Sequence, residues 1–204
     1  MRFSRREAMA AAMIAWSGVG WSRAPGLATI AAMVDAALVE RALAALFDHR
    51  ARLRSVDVVA IADFGRPSSE PRLFLADNVH GTTIAMRVAH GKGSDPAHSG
   101  ALQYFSNIVG SAATAAGAYL TGDLYSGLHG LSRRLVGLDR TNDRAEERAI
   151  VIHSAWYANR DVAERQGKLG RSDGCFAVAE QDIATLLARL GPGRLLYAGR
   201  ASDA

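Results

Sequence analysis

One cysteine, one histidine and one glycine in this sequence have the types and spacing of a nucleophilic site. Cys175 is the only cysteine in 204 residues, and it lies in the run Gly-Arg-Ser-Asp-Gly-Cys-Phe-Ala-Val at residues 170–178. A thiol attacks a carbonyl carbon as the thiolate, which a nearby imidazole generates by taking the proton. His153 ends an apolar run of β type and is the candidate base. Gly174 lets the backbone turn sharply before the nucleophile, so that the N–H groups of Gly174 and Cys175 can stabilise an oxyanion.

Each of these residues also has a structural explanation. Free cysteines are among the most buried residue types, and a histidine that closes an apolar strand is commonly a core residue. Here the two occur together, with a glycine directly before the cysteine, which favours the catalytic interpretation. In an exported protein, a single unpaired cysteine is either inert and buried or retained for its reactivity.

The two motifs together resemble those of a known family. Ile-His-Ser at residues 152–154, paired with Gly-Arg-Ser-x-Gly-Cys-x-Ala-Val at residues 170–178, resembles the murein L,D-transpeptidase catalytic domains, in the branch that carries Ser-x-Gly-Cys. These are cysteine enzymes that cross-link peptidoglycan stem peptides. The more familiar motif is Ser-His-Gly-Cys, so Asp173 stands here at the position of a histidine. Phe176 stands where this branch usually has proline.

The resemblance extends over most of the chain, from about residue 56 to residue 198. Its further elements are glycine-rich or aromatic stretches in the expected order, at residues 63–68, 88–94, 105–107, 117–122 and 125–132. Glycines of this kind mark turns and places where another backbone approaches closely. A groove for an extended peptide needs such places, because a stem peptide can be held by main-chain hydrogen bonds along a strand edge.

The resemblance implies a role for four catalytic residues. Cys175 is the nucleophile, His153 is the base, and the backbone carbonyl of Ser154 accepts the other ring N–H and fixes the tautomer. The N–H groups of Gly174 and Cys175 hold the oxyanion. Attack on the bond between the third stem residue and the terminal D-Ala gives a thioester, and an amine of a second stem then forms a 3-3 cross-link. Carbapenem-type β-lactams are candidate covalent inhibitors of such a site.

Five further residues are candidates for binding the substrate. Arg171 precedes the elbow, where its guanidinium can hold a substrate carboxylate by two hydrogen bonds, or form an ion pair with Asp173 or another acid. Ser172 lies within the motif. The glycine-rich middle of the chain contributes the remaining candidates for the groove, for which a structural role in turns is the alternative: Tyr125, His129 and His90.

The elements that must position these residues follow from periodicity. Alanine-rich residues 28–54 have a helical apolar face, and β-branched or alternating patterns predict strands at residues 55–64, 72–75, 82–90, 132–138, 148–153 and 194–198. Residues 179–190 predict a second helix, and residues 155–169 predict a loop that is partly helical. The pattern indicates a mainly β domain of antiparallel sheets, with one N-terminal helix and one C-terminal helix flanking it. The resemblance implies the L,D-transpeptidase β-sandwich.

The N-terminus predicts export. Residues 1–27 combine a basic start, an apolar segment and small residues, and Ser4-Arg5-Arg6 looks like a twin-arginine signal; an amphipathic helix or an uncleaved anchor is the alternative. Residues 28–204 are then a single catalytic domain. We expect a protein that is exported to the periplasm or cell envelope.

Composition narrows the class of partner. The formal net charge of +4 suits an anionic polymer surface, but the basic residues are scattered and predict no nucleic-acid partner. No spacing typical of a metal site or of a phosphate-binding loop occurs, so we expect neither a metal nor a cofactor. Two alternatives to the transpeptidase stay open: a cysteine L,D-carboxypeptidase or hydrolase of wall peptides, and a non-catalytic wall-binding module, for which a carboxylate at Asp173 that raises the thiol pKa is the best argument.

Overall fold

The computed structural model describes residues 25–203, which form a mainly β domain. Within this part of the chain there are nine strands and four α-helices. The strands are β1 (Val58–Asp63), β2 (Leu73–Asp77), β3 (Thr82–Met86), β4 (Val88–Ala89), β5 (Gly117–Gly127), β6 (Gly130–Gly137), β7 (Val151–Ser154), β8 (Phe176–Val178) and β9 (Leu195–Gly199). The helices are α1 (Pro25–Ala31), α2 (Ala36–Asp48), α3 (Arg160–Gln166) and α4 (Ile183–Arg189). The predicted fold class is confirmed.

The nine strands form one sheet that curls until its edges meet. Their order is β3-β2-β1-β9-β5-β6-β7-β8-β4, so β3 and β4 stand at opposite ends of the sheet. Only Arg87 separates them in sequence. Arg72 spans the seam, because its N–H donates to Met86 O (2.9 Å) and its Nε donates to Val88 O (2.9 Å).

Two of the eight strand pairings are parallel, whereas the sequence predicts antiparallel pairing throughout. The parallel pairs are β1–β9 and β7–β8. The other six pairs are antiparallel: β1–β2, β2–β3, β4–β8, β5–β6, β5–β9 and β6–β7. Parallel neighbours need a long crossover. Residues 155–175 supply one between β7 and β8 and include α3. This crossover brings Cys175, directly before β8, next to the strand that carries His153.

The core lies inside the curled sheet, and a second apolar layer lies outside it. Phe64, Tyr119, Ile152 and Phe176 are buried in the inner cluster, which α4 completes with Leu186. On the outer side, the apolar stripes of α1 and α2 cover β1, β2 and β9. Burying one large apolar side chain stabilises the fold by about 1.5–3 kcal/mol, so both layers contribute.

The predicted N-terminal helix is two helices. Asp35 ends the first segment and caps α2, because its Oδ1 accepts the Ala37 N–H at 2.8 Å. Leu27 and Ile30 of α1 are buried, so α1 belongs to the domain and crosses the predicted boundary between residues 27 and 28. The export segment otherwise lies outside the described residues and stays a prediction. No helix in residues 25–203 has the length and apolar character to cross a membrane.

The C-terminal helix and the strands around the site lie close to where the sequence predicts them. The predicted strand at residues 82–90 is split by Arg87 into β3 and β4, and the long strand β5 lies in the glycine-rich middle, for which the sequence predicts only turns.

Candidate active site

The parallel pair β7–β8 directs Cys175 and His153 to the same side of the sheet. Ile152 is aligned with Phe176, and both are buried in the inner core. Successive side chains of a strand point to opposite faces. His153 therefore projects from the other face of the sheet, which we call the site face. Cys175 directly precedes β8 and reaches this face beside the start of β7.

The elbow before the cysteine admits only glycine. Gly174 has φ +113°, and a Cβ there would lie 2.7 Å from Ala113 O and 2.8 Å from Ile150 Cδ1. Gly91 also approaches closely, since a Cβ on it would lie 2.8 Å from Gly174 Cα. The sequence predicts glycine here because the backbone turns sharply, and this geometry agrees with that reason.

Ser172 holds the elbow together from within. Its Oγ donates to Cys175 O (2.7 Å) and accepts the Gly174 N–H (3.1 Å), and the residue is buried. The hydroxyl is therefore engaged in the turn, and its predicted role in binding the substrate stays a prediction. In this conformation the Gly174 N–H points back into the turn, so the oxyanion site must draw on the Cys175 N–H or on a shift of Ser172. The role of these N–H groups stays a prediction.

His153 is held in one tautomer. Its Nδ1 lies 2.9 Å from Ser154 O, and a carbonyl only accepts, so the Nδ1 carries the proton. Nε2 is then free to accept a proton from a thiol. Burial lowers the pKa of His153, the Ser154 carbonyl opposes this, and the charge of His129 lowers the pKa further. The contact implied by the family resemblance is present, and His153 is neutral at pH 7.

The thiol rests against the backbone that leads into β7. In the described chain its hydrogen bond goes to Ala149 O, with Sγ at 3.6 Å, and not to His153. The Val151 N–H donates to the sulfur. Ala149 has φ +51°, a conformation that is costly for a residue with a Cβ and that aims its carbonyl at the sulfur. Catalytic hydrogen bonds are often loose in structures without substrate, so rotation of the thiol toward Nε2 is compatible with the site.

The charges around the thiol act in opposite directions. Burial raises the pKa of the Cys175 thiol most, and the negative charge of Asp173 adds to this. The Val151 N–H and the Arg148 guanidinium lower it. Since the thiol pKa is raised and the His153 pKa is lowered, the pair rests as neutral thiol and neutral imidazole. Formation of a thiolate in this pair therefore requires transfer of the thiol proton.

His129 is the candidate groove residue that the structure brings to the base. It lies between β5 and β6, and its ring stacks on the His153 ring with centroids 4.2 Å apart and an interplanar angle of 22°. Tyr125 is on the same hairpin, half-buried, with the Arg134 guanidinium 4.4 Å over its ring. The hairpin tip thus covers one side of His153.

His90 does not line the site, contrary to the prediction. It is only 1% exposed; Arg72 Nη2 donates to its Nδ1 at 2.7 Å, and its Nε2 faces Asp95 Oδ2 at 3.4 Å. Burial, followed by the charge of Arg72, lowers its pKa to about 4. His90 is a neutral link between the buried Arg72 and the buried Asp95. An apolar strand pattern gives no signal for such a network.

Arg171 and Asp173 take partners other than those predicted. Arg171 Nη1 donates to the backbone carbonyls of Asp95 and Pro96 and so ties the elbow to that loop. Asp173 forms an exposed ion pair with Lys92, with Oδ1 and Nζ 2.7 Å apart. The ion pair of Arg171 with Asp173 is absent from the described residues, and binding of a substrate carboxylate by Arg171 stays a prediction.

The sequence places Trp156 and Tyr157 in a loop that borders the site, but it does not indicate that Arg148 lies there. The pKa of Tyr157 is raised to about 12 by burial and then by the charges of Cys175 and Asp173, so a neutral hydroxyl lies near the sulfur. Trp156 is 66% exposed and packs edge-on to Tyr157. Arg148 lies behind the elbow, where a Cβ on Gly174 would be 3.1 Å from its Nη2. Arg148 opens the strand predicted at residues 148–153, where nothing indicates that its side chain packs against the elbow.

At the site, Cys175 is partly exposed and His153 is buried. A cavity of about 450 Å³ lies elsewhere, lined by residues that include Arg41, Asp139 and Tyr197 but neither Cys175 nor His153. No group of three or more His, Cys, Asp or Glu side chains in residues 25–203 is arranged to hold a metal.

Comparison with known proteins adds a family. The family model described as the L,D-transpeptidase catalytic domain matches residues 31–198. Solved structures with a similar fold include an L,D-transpeptidase from Mycobacterium tuberculosis H37Rv, with 14% identity, TM-score 0.45 and coverage of 71% of this chain and 58% of that one. A comparison with curated proteins found no match.

Two further solved structures are similar at the same level. L,D-transpeptidase 3 from Mycobacterium tuberculosis, in complex with a faropenem-derived adduct, has 12% identity, TM-score 0.45 and coverage of 71% of this chain and 60% of that one. The LD transpeptidase LdtMt1, in complex with imipenem, has 12% identity, TM-score 0.42 and coverage of 70% and 59%. The chain thus matches about three fifths of the length of these structures.

Proposed function

The chain belongs to the L,D-transpeptidase catalytic domain family, and from that premise we propose that it is an exported cysteine acyltransferase that forms 3-3 cross-links between peptidoglycan stem peptides. The observation that carries the proposal is the placement of Cys175 next to the strand that bears His153, with Ser154 O fixing the tautomer of the base. A nucleophile, a base and a group that orients the base are the three parts that acyl transfer by a thiol requires.

The first half-reaction forms the acyl-enzyme. His153 Nε2 takes the Sγ–H proton while Cys175 Sγ bonds to the carbonyl carbon of the third stem residue. The carbonyl oxygen becomes an oxyanion. When the C–N bond breaks, the proton on Nε2 passes to the amine of the departing D-Ala, and a thioester remains on Cys175.

The second half-reaction transfers the acyl group. The side-chain amine of a neighbouring stem attacks the thioester carbon and gives its proton to His153. The C–S bond then breaks, and the sulfur recovers the proton as the thiol. Because Cys175 is partly exposed, water can also reach the thioester, and this favours L,D-carboxypeptidase activity as the second candidate. Carbapenem-type β-lactams acylate Cys175 in this scheme, since their strained amide uses the same nucleophile and base.

Incubation with purified disaccharide-tetrapeptide tests the proposal by the masses of the products. The transpeptidase predicts a dimer lighter than two monomers by the mass of one free D-alanine, whereas the hydrolase predicts a disaccharide-tripeptide. Cys175→Ala is the inactive control, and Ser154→Ala is the matched control, because the proposed role of Ser154 belongs to its backbone. Binding to intact sacculi without either product would instead indicate a wall-binding module.

A further inference from the structure

The guanidinium of Arg148 lies behind the catalytic elbow, fixed by the loop before β5. Nη1 donates to Ser106 O at 2.7 Å, and Nη2 donates to Ala113 O and lies 3.4 Å from Ser111 Oγ. The Ala113 carbonyl is also the group that crowds Gly174 on its other side. Arg148 thus packs directly against the turn that presents Cys175.

The charge of Arg148 has no acidic partner. All three of its acceptors are neutral, and no Asp or Glu oxygen of residues 25–203 comes within 4.0 Å of the guanidinium. Burial lowers the pKa of Arg148, and the opposing charges are those of Tyr119 and Cys175. A half-buried cation without an anion is costly, and a nearby group that ionises during the reaction would offset this cost.

Cys175 is the group that can supply that anion. The Tyr119 hydroxyl donates to Ala115 O at 2.8 Å in the core, and burial raises its pKa, so it stays neutral. The sulfur, by contrast, contacts the backbone of residues 149 and 151, one and three positions after Arg148 in sequence.

Asp173 opposes a thiolate, but its effect is reduced. Lys92 Nζ lies 2.7 Å from its Oδ1, and both side chains are largely exposed, so Lys92 and solvent screen this carboxylate. Arg148 is more enclosed and therefore less screened. The charged or titratable groups around the sulfur are Arg148, Tyr119, His153, Tyr157 and Asp173, and, through their contacts with these, Lys92 and His129.

We propose that the Arg148 guanidinium is the counter-charge of the Cys175 thiolate in this chain. When the Sγ–H bond breaks and the proton moves to His153 Nε2, the new negative charge forms beside a cation that is already in place and does not itself react. Arg148 is a positioning residue, because its contacts are with the elbow and not with the reacting atoms. The role of Arg148 in catalysis rests on the proposed function. Its effect on the ionisation of the Cys175 thiol does not depend on that function.

The test is the pH dependence of Cys175 alkylation by iodoacetamide, which reports the thiolate of the only cysteine in the chain. Wild type is compared with Arg148→Gln, Arg148→Lys and the exposed control Arg144→Gln. We expect Arg148→Gln to shift the midpoint to higher pH and to slow alkylation on the order of tenfold below it, since a tenfold change corresponds to one pKa unit. Arg148→Lys retains the charge and stays within about threefold of wild type, as does Arg144→Gln.

Two outcomes overturn the inference. An unchanged midpoint in folded Arg148→Gln means that the charge does not act on the thiol. An equal loss of rate in Gln and Lys variants, with midpoints unchanged, means that Arg148 only ties down the loop. If Arg148→Gln does not fold, Arg148→Met gives the alkylation midpoint for an uncharged side chain at this position. Alkylation needs no peptidoglycan, so a shifted midpoint in a protein without cross-linking activity would overturn the proposed function alone.

Discussion

Replacing Gly174 by alanine should destabilise the domain far more than an equivalent change at Gly167. Gly174 has φ +113°, and its new Cβ would lie 2.7 Å from Ala113 O and 2.8 Å from Ile150 Cδ1. Backbone strain of this kind costs about 1–3 kcal/mol. Overpacking in a crowded site costs about 1–3 kcal/mol in addition. The sum is about 4 kcal/mol, a large fraction of a typical domain stability of about 5–15 kcal/mol.

Gly167 is the matched control because it isolates the strain. It ends α3 with φ +69°, and a Cβ there would meet nothing within 4 Å. Alanine in this left-handed conformation costs about 1–2 kcal/mol. The two variants should therefore differ by about 2 kcal/mol or more, the part due to contacts at the elbow.

Urea unfolding of the three proteins measures these differences directly. Equal losses at the two positions would refute the geometry of the elbow, because they would mean that Gly174 is not crowded. In the folded fraction, Gly174→Ala should also slow iodoacetamide alkylation of Cys175, since the turn must move to accommodate the methyl group. Gly167→Ala should leave that rate unchanged.

Three further predictions concern charge. His129→Phe keeps a ring over His153 but removes a charge that lowers the pKa of His153. The pKa of His153 should therefore rise, and activity on the acidic limb of the pH profile should fall about threefold. An acidic limb at the same pH as in wild type would contradict the coupling of the two stacked rings. Asp173→Asn removes a charge that raises the pKa of Cys175, so alkylation at pH 7 should become about threefold faster, and a slower rate would contradict the assignment. The pKa of His90 is about 4 in the fold, below the ordinary histidine value of 6.5, so folding favours the neutral form. About 3 kcal/mol of stability that is present above pH 6.5 should therefore be lost as the pH falls to 4. Urea midpoints of His90→Gln should decline less steeply than those of wild type over this range, and a parallel decline would exclude His90 as the cause.

The family is readable from the sequence because the signals that indicate it are local. A glycine before a lone cysteine, and a histidine at the end of an apolar run, each describe a few consecutive residues. The mainly β class follows in the same way from alternation in the strands. The match over residues 31–198 confirms the family that these motifs indicate.

The remaining features depend on contacts between distant residues. Arg72 and His90 meet inside the curled sheet only because β3 and β4 lie on opposite edges that close together. The parallel pairing of β7 with β8 depends on the crossover between them. His129 reaches His153 through the length of the β5–β6 hairpin. No local pattern in the sequence encodes these distances.

Ser172 and Arg171 show the same limit within the motif itself. Their types suit a substrate carboxylate, yet the structure uses the serine to close the turn and the arginine to tie down the loop at residues 95–96. A motif identifies residues that matter to the site, but it does not separate those that contact substrate from those that hold the backbone.

The central claim is that Cys175 is an acylable nucleophile, and intact mass after incubation with imipenem tests it most directly. Opening of the β-lactam amide joins its carbonyl carbon to Cys175 Sγ and moves the thiol proton to the lactam nitrogen, so the protein should gain the mass of the whole drug. Cys175→Ala should gain nothing. Wild type that stays unmodified while folded and still reactive toward iodoacetamide, or an equal adduct on Cys175→Ala, would contradict the account.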